Sequence, residues 1–157
     1  MELTNALRKR GFLLENVAEN DLKAFIDVEK MSHNKYVAEH SDFFGAWNEN
    51  LLTNTFHEKF HCSYFQKLVF NGEIVGFLGY DKKDDVIDHV FIRLLENVQQ
   101  NGIGTWFLSN LIMLSEKFHI PVNIVVIKTN PAQNLYRKMG FAFYKEEDVF
   151  YHFRYLP

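Results

Sequence analysis

Gln99, Gly102 and Gly104 form a Q-x-x-G-x-G spacing within Gln99-Gln100-Asn101-Gly102-Ile103-Gly104-Thr105. The stretch sits between an apolar run, Val86 to Leu94, and an apolar-striped one, Gly102 to about Lys117. Glycine lets a backbone approach a ligand with no Cβ in the way. A helix starting here aims unpaired N–H groups, and a partial positive charge of roughly half a unit, at whatever lies before it. That is chemistry for holding an anion such as a pyrophosphate. Glycine-rich helix entries also arise for packing alone, so the stretch by itself leaves both readings open.

His57-Glu58-Lys59-Phe60-His61 fits H-E-x-x-H, which on a helix sets two zinc ligands beside a glutamate base. A catalytic zinc needs a third protein ligand. None stands out downstream, and a strand begins within a few residues. A zinc hydrolase using His57, Glu58 and His61 is therefore the lesser alternative, and the expectation is that no metal is used. Cys62, the single cysteine, excludes an internal disulfide and beside aromatics reads as an inert thiol.

The elements that must position these residues follow from periodicity. Residues 1–10 read as a helical turn or an arm, and Phe12 to Val17 as a first strand. Leu22, Phe25 and Ile26 recur at helical spacing, which predicts a helix to about Met31. Residues 32–45 have no clear period, and a second helix is expected over Phe44 to Phe60. Tyr64–Phe70 and Glu73–Tyr80 alternate like strands and are joined by Asn71-Gly72, a strong hairpin signal. Val86–Leu94 makes the third antiparallel strand before the glycine loop. Ile103, Trp106, Phe107, Leu111, Leu114 and Phe118 give the next helix a stripe to lay on a sheet. Val122–Ile127 is aliphatic and β-branched, as in a strand covered on both faces, and a right-handed crossover makes it parallel to the strand before. Asn130 and Pro131 open a short helix that Gly140 ends. Phe141–Tyr144 and Val149–Tyr155 close a hairpin across the acidic turn Glu146-Glu147-Asp148. The expectation is α+β: a mixed, mostly antiparallel sheet of about seven strands with helices on both faces.

The chain has 157 residues, 47% hydrophobic and 24% charged, which suits one domain with a real core. Sixteen phenylalanines predict an aromatic-filled interior. A net charge of −3 gives no argument for nucleic acid or an anionic membrane as partner. No apolar run approaches a membrane span, no signal peptide is read, and a cytoplasmic location is expected.

Two motifs, in order and separated by one helix and one aliphatic strand, resemble the GNAT superfamily of GCN5-related N-acetyltransferases. They are Gln99-x-x-Gly102-x-Gly104 and Asn130-Pro131-Ala132-x-x-Leu135-Tyr136-x-Lys138-x-Gly140-Phe141. The resemblance implies a small, single GNAT domain over 1–157 of the bacterial type, using acetyl-CoA to acetylate a primary amine of a small molecule or peptide. A non-catalytic acyl-CoA-binding domain is the alternative. The resemblance places the pyrophosphate on the backbone of Gln99, Gln100, Asn101, Gly102, Ile103, Gly104 and Thr105. It places the pantetheine arm along Ile92, Arg93 and Leu94 and at Asn130, whose other reading is a helix cap. Arg93, Lys128, Arg137 and Lys138 stand as possible phosphate partners. It sets Tyr136 at the thioester sulfur, where a hydroxyl with a pKa near 10 can protonate a departing thiolate.

A free alkyl amine is neutral in only about one molecule in 2,500 at pH 7, so a base or a dry pocket is useful. Asp88 falls where several family members place their base, with His89 expected on the opposite face because strand side chains alternate. Other members carry a Glu on the next strand, near the position of Val125 here. Phe44-Gly45-Ala46-Trp47 resembles, weakly, an aromatic stretch near the acceptor site, which makes Trp47 a substrate-side candidate. Dimerisation is common in the family, and a homodimer is possible.

Overall fold

A computed structural model describes residues 1–157. Seven strands form one sheet in the order β1-β2-β3-β4-β5-β7-β6. They are β1 (Phe12–Asn16), β2 (Tyr64–Phe70), β3 (Glu73–Lys82), β4 (Ile87–Leu94), β5 (Val122–Ile127), β6 (Ala142–Glu147) and β7 (Phe150–Tyr155). Every pairing is antiparallel except β4 with β5. The helices are α1 (Asn5–Lys9), α2 (Leu22–Ser32), α3 (Asn34–Ala38), α4 (Ser41–Phe44), α5 (Glu49–Lys59), α6 (Ile103–Phe118) and α7 (Ala132–Lys138). The α+β sheet with helices on both faces is as the sequence pattern predicts.

Two cores lie on opposite faces. Leu7 of α1, Trp106, Phe107 and Leu111 of α6 and Tyr136 of α7 pack on one face against Leu78, Ile87, Val122, Ile124 and Phe153. On the other face Phe25 and Val28 of α2 and Phe56 of α5 enclose Phe77 and Phe91. Phe25 stacks on Phe91 with ring centroids 5.7 Å apart and meets Phe77 edge-on at 5.3 Å. This is the phenylalanine-filled interior that the composition predicts, with aromatic pairs in their favoured offset and edge geometries.

Local chemistry explains where the elements stop. Asn71 (φ 52°) and Gly72 (φ 81°) are both left-handed, the requirement of the two-residue hairpin turn between β2 and β3. The helix expected over Phe44–Phe60 begins later, at Glu49, and Phe44 instead closes the short α4 before it. Gly45, at φ 73°, ends α4, and the Asn48 side chain accepts the Leu51 N–H at 3.2 Å to start α5. The closing hairpin also differs from expectation. Glu146 and Glu147 remain in β6, and the turn sits at Asp148 (φ 50°) and Val149.

One expectation about β5 fails in an informative way. Val122, Ile124 and Val126 are buried on the α6 face, but Val125 is 50% exposed. The face carrying Val125 is covered by neither α2 nor α5, whose core stops at β4.

Candidate active site

β4 and β5 are joined in register at Ile87↔Val122 alone, with Ile87 N–H donating to Pro121 O at 2.8 Å. Beyond this pair the strands separate, and the gap between them continues into a cavity of about 380 Å³ at the N-terminus of α6. A second cavity of about 110 Å³ lies between the separated strands themselves.

The glycine loop forms one end of the larger cavity. Gln100 (φ 60°) and Gly102 (φ 84°) are left-handed, and this turns the chain into α6. The first helical hydrogen bond runs from Trp106 N–H to Gly102 O at 2.9 Å, and no backbone N–H from Gln100 to Thr105 donates to another backbone group. Successive N–H groups of this kind at a helix start form an anion cradle. Side chains pin the loop from behind. Asn101 donates to the carbonyls of Val98 and Gln99 at 3.0 and 3.1 Å, and Arg10 donates to the Asn101 side chain and carbonyl. Gly104 lies where the helix crosses α7: a Cβ there would come within 2.9 Å of Leu135 Cδ2.

Of the residues that the motifs single out, Ile92, Arg93, Leu94, Gln99, Gln100, Gly102, Gly104, Thr105, Asn130 and Tyr136 line the larger cavity. Asn101 and Ile103 do not. Asn101 holds the loop, and the Ile103 side chain is in the core, so each offers only its backbone N–H. Of the basic residues considered as phosphate partners, Arg93 alone reaches a cavity wall. Lys128 pairs with Glu146, Arg137 donates to Gln133 Oε1 at 2.7 Å, and Lys138 is exposed. The Asn130 Oδ1 accepts the Ala132 N–H at 2.9 Å, capping α7, while its amide nitrogen makes no hydrogen bond within the chain. Both readings of this residue are therefore compatible in one side chain.

Tyr136 lines both cavities, together with His33, Ile92, Arg93, Asn130 and Ala132. Burial holds its hydroxyl above the ordinary tyrosine pKa, with the positive charge of Arg93 opposing. Arg93 is itself fixed: its Nε lies 3.0 Å from Glu29 Oε1, and Nη1 donates to Ile92 O at 3.0 Å. The Arg93 and Glu29 side chains are 23% and 7% exposed.

The structure places Asp88 away from this centre. It lines neither cavity, and Oδ2 takes a hydrogen bond from Lys83 Nζ at 2.7 Å. His89 does not point to the opposite face. At φ 48° it forms a bulge where β3 and β4 slip register between Gly79 and Asp81, which brings His89 Nδ1 within 3.6 Å of Asp88 Oδ1. Trp47 also lines neither cavity; from the same stretch, Phe44 instead packs edge-on against Phe150, a wall of the smaller one. The H-E-x-x-H reading fails on geometry. α5 ends at Lys59, which leaves His61 beyond the helix, and His57 Nδ1 lies 3.4 Å from Glu19 Oε2.

Periodicity misses Ser32, His33 and Tyr36, which line the larger cavity at the end of α2 and in α3. Residues 32–45 carry no period because they fold as two short helices, and nothing in their spacing announces a site. Burial, with Arg93 adding to it, pushes the His33 imidazole down to about 2, so the ring is neutral at physiological pH.

The chain matches the family model described as acetyltransferase (GNAT) family over residues 32–141, more than half its length. No curated protein matches it in sequence. Solved structures share the fold. The PH1933 protein of Pyrococcus horikoshii superposes with a TM-score of 0.70 at 19% identity, covering 93% of this chain and 98% of that one. The PaiA N-acetyltransferase of Thermoplasma acidophilum, solved in complex with coenzyme A, gives 0.68 at 15% identity, covering 94% and 99%. An acetyltransferase of Thermus thermophilus gives 0.69 at 15% identity, covering 94% and 97%. With the motifs, the parted strands and the loop N–H groups in place, the chain belongs to the acetyltransferase (GNAT) family.

Proposed function

We propose that this protein is an N-acetyltransferase that takes acetyl-CoA as co-substrate and transfers its acetyl group directly to a primary amine in a ternary complex. The observation that carries the reading is Tyr136, which stands on the wall shared by the two cavities. One cavity begins at the free N–H groups of the glycine loop, and the other opens beside Val125, the half-exposed residue of β5. Bound acetyl-CoA supplies a thioester. The N–H groups from Gln100 to Thr105 hold the pyrophosphate, and the parted edge of β4 at Ile92 and Leu94 and the Asn130 amide serve the pantetheine. Tyr136, kept protonated by its burial, donates its proton to the leaving thiolate.

One observation favours the alternative, an acyl-CoA-binding domain without turnover. Asp88 lies outside both cavities, so no carboxylate faces the amine. A panel of amines followed by release of free coenzyme A separates the two. Amine-dependent release supports transfer; saturable binding without release supports the binding domain.

A further inference from the structure

We propose that the acceptor is a weakly basic amine of the α-amino class, bound in its neutral form with a small apolar group beside it in the cavity between β4 and β5. This rests on the transfer reading above.

The charge around the smaller cavity carries the argument. β5 contributes Val125, Val126 and Ile127, and β7 contributes Phe150, none of them titratable. The titratable groups on its wall are His33 at the end of α2, Arg93 of β4 and Tyr136 of α7. No Asp or Glu lines this cavity or the larger one. Glu29 of α2 is committed to Arg93 at 3.0 Å and lines neither cavity. On the α5 side Arg93 is met by a second cation, Lys59, whose pKa burial lowers and Arg93 lowers further. Of the acidic residues of the closing hairpin, Glu146 pairs with Lys128 and Glu147 with Lys145 at 2.9 Å, and Asp148, in the turn, lines neither cavity. An ammonium ion entering here finds a guanidinium and no free carboxylate. His33 on the same wall is held neutral, chiefly by burial and further by Arg93, so it offers no compensating charge either.

An amine must then arrive neutral. At pH 7 roughly one α-amino group in ten is neutral, against about one lysine-type amine in 2,500. Transfer from a neutral amine needs no strong base. The nitrogen lone pair forms the N–C bond as the C–S bond breaks. The Tyr136 proton passes to sulfur, and the proton released by nitrogen returns to the Tyr136 oxygen through water. His33, a neutral ring on the same wall, is an acceptor for the remaining amine N–H. A volume of about 110 Å³ among valine, isoleucine and phenylalanine side chains fits a small apolar substituent rather than a polyamine or a sugar.

The test compares two peptides of matched length with the full chain and acetyl-CoA. One has a free α-amino alanine and no lysine; the other has a blocked N-terminus and one lysine. Product is read by mass spectrometry beside coenzyme A release. The expected result is kcat/KM about 100-fold higher for the α-amine at pH 7, with the gap narrowing as pH rises toward 10. Equal or better acetylation of the lysine peptide, or of spermidine, overturns the substrate class while leaving the transfer reading standing. Acetylation of no amine, with acetyl-CoA still bound, overturns both. Val125→Glu, at a half-exposed position on the cavity wall, adds the missing carboxylate and should shift the preference toward the lysine peptide by about 10-fold. An unchanged ratio would contradict the assignment of this cavity to the acceptor.

Discussion

Ile87 and Val122 are the one matched residue pair that joins β4 to β5. Both are fully buried under α6, so this end of the cleft is locked by packing while the other end parts. The cleft is thus a property of the sheet. The geometry that receives a ligand is set when the core packs.

The parted edge is held from behind by β3. A Cβ at Gly76 would meet the Arg93 carbonyl oxygen at 2.5 Å and Leu94 Cδ2 at 2.7 Å. The first of these is backbone and cannot rotate away. Gly76→Ala should therefore cost about 2 kcal/mol and lower the melting temperature by roughly 5 °C. It should also weaken acetyl-CoA binding, because the residues displaced are those of the β4 edge. Gly79→Ala, whose Cβ would sit 3.0 Å from the Tyr64 carbonyl oxygen, should be milder. Thermal melts and acetyl-CoA titrations of the two variants check this.

Tyr136→Phe keeps the ring in the core and removes only the hydroxyl. Turnover should fall about 100-fold while acetyl-CoA affinity stays within a factor of about two, the pattern of a group used in the reaction more than in binding. A variant that turns over at the wild-type rate would remove the acid role.

His33 makes stability depend on acid. Its folded pKa of about 2 lies below the ordinary value of 6.5, so between these the unfolded chain binds a proton that the folded chain does not. Stability is therefore full above pH 6.5 and falls as pH drops below it. His33→Gln should flatten the fall in melting temperature between pH 6.5 and 4. An identical pH profile in the variant would show that the ring is not held neutral.

Much of this was legible from residue order. Strand alternation, the Asn71-Gly72 turn and the α6 stripe specify the sheet and its helices because each is a local rule. The glycine loop was legible because its backbone needs residues that accept left-handed angles next to a helix start, as at Gly102. Asp88 was not, because the bulge at His89 breaks the alternation that any strand reading assumes. His33 and Tyr36 were not, because two short helices without a repeating face bring them to the cavity. The open face of β5 was hidden as well: Val125 is as β-branched as its buried neighbours, and only the tertiary arrangement leaves it uncovered.

The central claim is that main-chain N–H groups at the start of α6 grip the co-substrate phosphates. Calorimetric titration of acetyl-CoA into the wild-type chain and into Gly102→Asp tests it most directly. A Cβ at Gly102 meets nothing within 4 Å, so the substitution adds left-handed backbone strain and a negative charge at the cradle without a steric clash in the core. Saturable one-to-one binding by the wild type, lost in a Gly102→Asp chain that still melts cooperatively, is the predicted result. Equal affinity in both, or no heat with the wild type, would contradict it.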